Sequence, residues 1–264
     1  MISVAIVTVV YNAEKDIEIT MNSVLNQKYK NLEYVIMDGG SNDNTMPIIS
    51  DYKSHFEKKN ITLKVISEKD YGIYNAMNNS LRHIDSEYVL FLNAGDYFTN
   101  GDVISAIFKT PKILQYDIIY GDFFYYFKNY RKYAKSKHYT LLPNQMISTH
   151  QSFFIRTKLL QDRQYDEKYK MAADYDFLLD MYLKGKSFLY MDIPVVYFMA
   201  NGISQRRSLI TQKEVLDIRY QYIDISKFNR IMFLFNIPLI CVKKGILSIL
   251  PPKIRYMTYE KVKK

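Results

Sequence analysis

The chain has 264 residues, 48% of them apolar, enough to bury a sizeable core, which excludes a disordered segment, a collagen-like repeat and a disulfide-stapled miniprotein. Its one cysteine, Cys241, cannot form an internal disulfide, and the opening MISVAIVTVV lacks the basic stretch and cleavage site of a secretory signal, so a reducing cytoplasm is the expected address. The 36 Lys and Arg against 27 Asp and Glu give a formal +9. That excess is concentrated, because Lys227, Arg230, Lys243, Lys244, Lys253, Arg255, Lys261, Lys263 and Lys264 face only Glu260, a net +8 that leaves +1 for residues 1–226. A nucleic-acid enzyme lines its body with cations; this body is neutral, and no nucleic-acid partner is expected.

Val4 to Val10 is an unbroken β-branched run stopped by Tyr11-Asn12, which reads as a buried parallel strand. Ile17, Met21, Val24 and Leu25 recur at helical spacing, and Tyr34 to Met37 returns to strand before Asp38-Gly39-Gly40. The cycle continues with a helix from about Asn44 to Phe56, a strand Thr62 to Ser67, a helix from about Ile73 to Ile84 and a strand Tyr88 to Leu92. Such alternation predicts an α/β fold, a mostly parallel Rossmann-like sheet with helices on both faces. Ligands of such sheets bind beyond the carboxyl ends of the strands. Those ends present Asp38, Asp70 and Asp96; each alone fits a turn or a helix cap, and their recurrence at equivalent positions, two of them beside glycines, points to a site.

No Gly-x-x-x-x-Gly-Lys-Ser/Thr loop, no Gly-x-Gly-x-x-Gly after the first strand, no Gly-x-Ser-x-Gly and no His-Glu-x-x-His is present, which argues against a P-loop NTPase, a dinucleotide dehydrogenase, a serine hydrolase and a zinc protease. A carboxylate-lined pocket without phosphate-cradling glycines would hold a diphosphate through a divalent cation, Mn or Mg.

The second half is less regular. Asp117 to Asp122 reads as a strand, and the following FFYYFKNYRKYAKSKHYTLL as one or two β-ribbons or a flap, whose aromatic residues pack on a sheet or stack on bases or sugars. Ser152 to Ile155 is a short strand after His150-Gln151, and Ala172-Ala173-Asp174-Tyr175-Asp176 opens a helix with Phe177, Leu178, Met181 and Tyr182 on its apolar face. Asp174 falls near that helix start, where a cap and a functional carboxylate are both served by the dipole.

In order, TVVYN, DGGSNDNT, SEKDYGIYNAMN, FLNAGD, the His150-Gln151 pair, AADYD and NGIS resemble the motifs of inverting family 2 glycosyltransferases with a GT-A fold, the bacterial branch that builds capsule, O-antigen and exopolysaccharide. The resemblance covers about residues 2 to 205. It implies that Thr8, Tyr11, Asp38 and Asp70, with Asn78 and Asn93, surround a nucleotide-sugar donor, a UDP-sugar first among them. Asp96 matches the last acid of the metal-binding motif, with Asn93 and Gly95 where many members carry acids. Asp174 matches the catalytic base, with Ala173 in place of the usual Glu, and Asp176 is the second choice. His150 and Gln151 are implied in contact with acceptor or diphosphate, and the loop from Asn201 to Ser204, followed by Gln205-Arg206-Arg207, in closing over the donor.

Ile231 to Val242 is apolar but broken by Asn236 and Pro238 and too short for the roughly 20 residues of a spanning helix. With the basic residues around it, residues 227–264 read as an amphipathic tail after a catalytic domain at 1–226, lying on the cytoplasmic face of the inner membrane or packing on the domain as a last helix pair. A lipid-linked saccharide acceptor follows from the first reading. Two rival readings are a nucleotidyltransferase that makes a nucleotide sugar, which would carry a Gly-rich basic loop after the first strand, and a degenerate glycan-binding domain, to which Asn93, Gly95 and Ala173 lend support.

Overall fold

A computed structural model describes residues 1–127, 130–199 and 208–222. Three parallel strands, β1 (Val4–Val10), β2 (Leu32–Asp38) and β3 (Thr62–Ser67), are joined through the helices α1 (Ile17–Leu25) and α2 (Thr45–Lys58), and β1 also pairs in parallel with β4 (Tyr88–Phe91), which follows α3 (Ile73–Ser80). A 3-10 turn, Leu81–His83, finishes the helix expected to run to Ile84. The rest comprises β5 (Tyr97–Phe98), α4 (Val103–Ile107), β6 (Ile118–Phe127), β7 (Tyr130–Ala134), β8 (Phe153–Arg156), α5 (Thr157–Arg163), α6 (Ala173–Leu183), β9 (Phe188–Met199) and α7 (Ser208–Tyr222). The strands form one sheet in the order β3-β2-β1-β4-β8-β6-β9-β5, with β7 on β6.

The expected parallel sheet accounts for the first four strands. Beyond β4 the ladder is mixed: β8 runs antiparallel to both neighbours, β6 and β9 pair in parallel, and β5 and β7 close the far side antiparallel. The aromatic and basic stretch forms the β6–β7 ribbon, with Phe124 and Tyr197 stacked at 5.0 Å; this is the sheet-packing alternative. Strand β9 gave no clear sequence signal because Asp192 and Pro194 interrupt its apolar run, and the register slips opposite Gly121-Asp122.

Both faces of the parallel half are covered, and the alternation of side chains shows how. Val4, Ile6 and Val10 of β1 and Tyr34 and Ile36 of β2 point to one face and bury with Ile17, Met21 and Val24 of α1 and Ile49 and Phe56 of α2. The opposite face, with Val7, Val35 and Phe91, takes Ala76 and Met77 of α3 and an aromatic chain in which Tyr165 meets Tyr74, Phe91 and Phe177 at 5.3 to 5.8 Å. That chain ties α6 to the sheet and so fixes where the start of α6 stands.

Residues Met1–Ile218 pack as one compact unit, and of the chain beyond it only 219–222 are among the described residues. The expected tail, 227–264, lies outside the described residues. No helix among the described residues is long and apolar enough to cross a membrane.

Candidate active site

Three loops leave the carboxyl ends of β1, β2 and β3 and lock together. Asn12 takes a left-handed φ of 51°; its N–H donates to Ser41 Oγ at 2.8 Å, and its Oδ1 accepts the Asn42 N–H at 2.9 Å. Asp38 is 1% exposed and accepts the Ser67 hydroxyl at 2.6 Å and the N–H groups of Gly40 and Ser41 at 3.1 to 3.2 Å, an Asx turn that shapes the loop after β2. Asp70, on the loop after β3, accepts the Gly72 N–H at 2.9 Å. Its carboxylate occupies the space a Cβ on Gly39 would fill, which explains the glycine there. Tyr11 stands 62% exposed at the rim. Tyr11, Asp38 and Asp70 therefore gather at one edge of the sheet.

Thr8 and Asn78 lie behind that edge rather than in it. Thr8 is fully buried with its hydroxyl on the Tyr34 hydroxyl at 2.9 Å. The Asn78 amide is committed to the chain, donating to Tyr165 O and Glu167 and accepting the Tyr165 N–H, all at 2.9 to 3.0 Å. It staples the segment before α6 onto α3.

The turn after β4 carries Asn93 and Asp96. Gly95 adopts φ 93°, and the Thr20 hydroxyl of α1 accepts the Gly95 N–H at 2.9 Å and donates to Asp96 O at 2.8 Å. The Asp96 carboxyl is buried and receives the Gln151 amide N–H and the Met199 N–H, each at 2.7 Å. Burial pushes its pKa up to about 7 against the pull of those two donors, with the Asp16 charge adding to the rise.

His150 and Gln151 form one short 3-10 turn, Gln151 fully buried on Asp96 and His150 facing the other way. Asn93 Nδ2 meets His150 Nε2 at 3.1 Å, and His150 Nδ1 stands 3.8 Å from Asp174 Oδ2. Burial lowers the His150 pKa below the usual imidazole value, the Asp174 charge opposing it. The ring is thus neutral at neutral pH. Asp174 occupies the first turn of α6 and accepts the Tyr74 hydroxyl at 3.1 Å and the Tyr175 N–H at 2.9 Å, both on Oδ1. The adjacent residues of one turn thereby reach the two carboxylates, Asp96 and Asp174, on either side.

Asp176, the alternative to Asp174, faces elsewhere. It is 1% exposed and paired with the Arg163 guanidinium of α5, which also meets Asp180 at 3.2 Å. Tyr74, Arg163 and Tyr126, whose hydroxyl donates to Gly95 O at 2.5 Å, escaped the sequence reading, since each reaches its partner across the fold and no local spacing marks it. The segment from Asn201 to Arg207 lies outside the described residues. Among the described residues no group of three or more His, Cys, Asp or Glu could hold a metal ion.

Residues 5–173 match the family described as Glycosyl transferase family 2, and the chain belongs to that family: it is a glycosyltransferase with the GT-A fold. An uncharacterized glycosyltransferase of Mycobacterium tuberculosis is 25% identical over 193 residues, 67% of this chain and 68% of that protein. Among solved structures, S. aureus TarS 1–349 in complex with UDP-GlcNAc superimposes with a TM-score of 0.67 at 19% identity, covering 86% of this chain and 69% of that one. The mannosyltransferase PcManGT of Pyrobaculum calidifontis, in complex with GDP-Man and Mn2+, gives 0.64 at 17% identity over 85% of this chain and 65% of that one. The family match ends one residue before Asp174, so the reading of that carboxylate rests on its surroundings.

Proposed function

We propose that the protein transfers one sugar, with inversion, from a nucleoside-diphosphate donor to a hydroxyl of a lipid-linked bacterial surface glycan. The observation that carries this is the His150-Gln151 turn, which sets an unpaired face of Asp174 and the buried Asp96 on either side of one turn at the carboxyl end of β4. Tyr11 stacks on the base and Asp38 and Asp70 accept from base N–H or ribose hydroxyl groups; Thr8 and Asn78 support that pocket from behind, and Asn93 orients His150. The acceptor hydroxyl approaches Asp174 Oδ2 beside His150 and donates its hydrogen to Oδ2. As its oxygen bonds to the anomeric carbon, its proton passes to Asp174, the bond from that carbon to the diphosphate oxygen breaks, and the nucleoside diphosphate leaves from the opposite face.

A divalent cation fits at Asp96, as the Mn2+ bound in the Pyrobaculum structure supports. Each Asp96 oxygen accepts one N–H and keeps further lone-pair capacity, so this single carboxylate can join diphosphate oxygens and water in an oxygen-rich shell. When bound, the ion supplies charge for the leaving diphosphate. The concentration of positive charge after Ser226 supports attachment to the anionic cytoplasmic leaflet, where a lipid-linked acceptor resides. The test is release of nucleoside diphosphate from a panel that includes UDP-GlcNAc and GDP-mannose, with Mn, Mg or EDTA and lipid-linked saccharides as acceptors. Turnover of one donor with inverted product is expected, and no turnover of any nucleotide sugar overturns the reading.

A further inference from the structure

We propose that Tyr74 is a positioning residue for the base, holding Asp174 by Oδ1 so that Oδ2 alone is presented to the acceptor hydroxyl. This rests on the reading of Asp174 as base. Tyr74 lies in the first turn of α3 and Asp174 in the first turn of α6, 100 residues apart in sequence. The Tyr74 hydroxyl and the Tyr175 N–H both donate to Oδ1, at 3.1 and 2.9 Å. Oδ2 accepts no hydrogen bond among the described residues and faces His150 Nδ1 at 3.8 Å, outside hydrogen-bond reach. Two donors on one oxygen stop the carboxylate from turning, and they settle which lone pairs point toward the incoming nucleophile.

Packing by itself does not account for the hydroxyl. The Tyr74 ring is 7% exposed and leans on Tyr165 at 5.3 Å, and a phenylalanine would make the same contact. Burying a phenol is unfavourable unless its hydroxyl is bonded, and the partner it finds is Asp174. Burial, with the Asp174 charge adding, raises the Tyr74 pKa well above its ordinary value, so the group remains a donor throughout the working range. The other titratable neighbours of Asp174 are His150, neutral, and Tyr165, raised by burial. Arg163, on α5, is turned to Asp176 and Asp180.

The test is Tyr74→Phe, assayed with the donor and acceptor that the nucleotide-sugar panel identifies. Expected are a kcat lower by about tenfold and a donor KM within about twofold of wild type. In the Asp174→Asn background the same substitution should cost almost nothing further, as expected of residues acting as a unit. An unchanged kcat, a donor KM that rises in step with the loss of kcat, an equal loss in the Asp174→Asn background, or a Tyr74→Phe chain that no longer folds each overturn the proposal. Wild-type turnover by Asp174→Asn would instead overturn the reading of the base, and an inactive Asp174→Asn beside an unaffected Tyr74→Phe would remove only the inference about Tyr74.

Discussion

At the scale of single residues, two aspartates two positions apart on α6 have opposite surroundings, and the contrast yields separable predictions. Asp174 has an oxygen open toward the site, while Asp176 is buried on Arg163. Asp174→Asn should leave nucleotide affinity intact in calorimetry and lower transfer by about two or more orders of magnitude, the scale of general-base loss. Asp176→Asn breaks a buried ion pair, so it should appear first in thermal unfolding, as a loss of about 3 kcal/mol; a larger catalytic defect in Asp176→Asn than in Asp174→Asn would reverse the assignment. Asp96 supplies a different test. Its carboxyl holds a proton up to about pH 7, and a cation must displace that proton, so Mn affinity should fall by about tenfold for each pH unit below 7. Asp96→Ala should abolish this dependence together with Mn-stimulated turnover, followed by electron paramagnetic resonance of free Mn. Full wild-type activity in EDTA would remove the cation from the reaction.

At the scale of elements, the site is made by loop ends that brace each other. The β1 and β2 loops meet through Asn12, Ser41 and Asn42, and the β2 and β3 loops through Asp38 with Ser67 and through the close approach of Gly39 to Asp70. Gly39→Ala places a methyl group where the Asp70 carboxylate lies, and that flexible end must move aside. The melting temperature should change little, since the displaced group is partly exposed, whereas affinity for UDP should fall by about tenfold if Asp70 contacts the nucleotide, equivalent to about 1.4 kcal/mol. Unchanged nucleotide affinity in this variant would take Asp70 out of the donor pocket. The Asn78 amide plays the corresponding part for the second half, binding Tyr165 and Glu167 and so setting the approach of the chain to α6.

At the scale of the whole molecule, charge is divided from chemistry: the acids of the site lie in Met1–Ile218, and the basic excess follows residue 226. Each basic residue near an anionic leaflet contributes about 1 kcal/mol, weakened as salt shortens the Debye length. A chain ended after Ser226 should therefore lose binding to phosphatidylserine vesicles in sedimentation and turn over a lipid-linked acceptor more slowly, with donor hydrolysis nearly intact. Full-length protein that ignores such vesicles at low salt would assign the tail to packing on the domain.

The parallel half of the sheet was legible in the sequence because its signals are local: β1, β2 and β4 are largely apolar runs ended by Asn or Asp-Gly, and the half-exposed edge strand β3 alternates Leu63 and Val65 with Thr62 and Lys64. It also placed Asp38, Asp70, Asp96 and Asp174 at strand and helix ends, where a chain must turn and a ligand can approach. Relations across the fold came instead from how distant elements pack. The mixed far side, where β9 runs parallel to β6 and slips its register at Gly121-Asp122, depends on pairing that no periodicity records. Thr8 and Asn78 sit in polar motifs, yet their side chains are used inside the protein. The bond from Tyr74 to Asp174 and the opposed reach of His150 and Gln151 arise because long-range packing chooses which polar groups meet. A linear pattern constrains which face a residue takes along its own element, and it leaves open what another element places opposite.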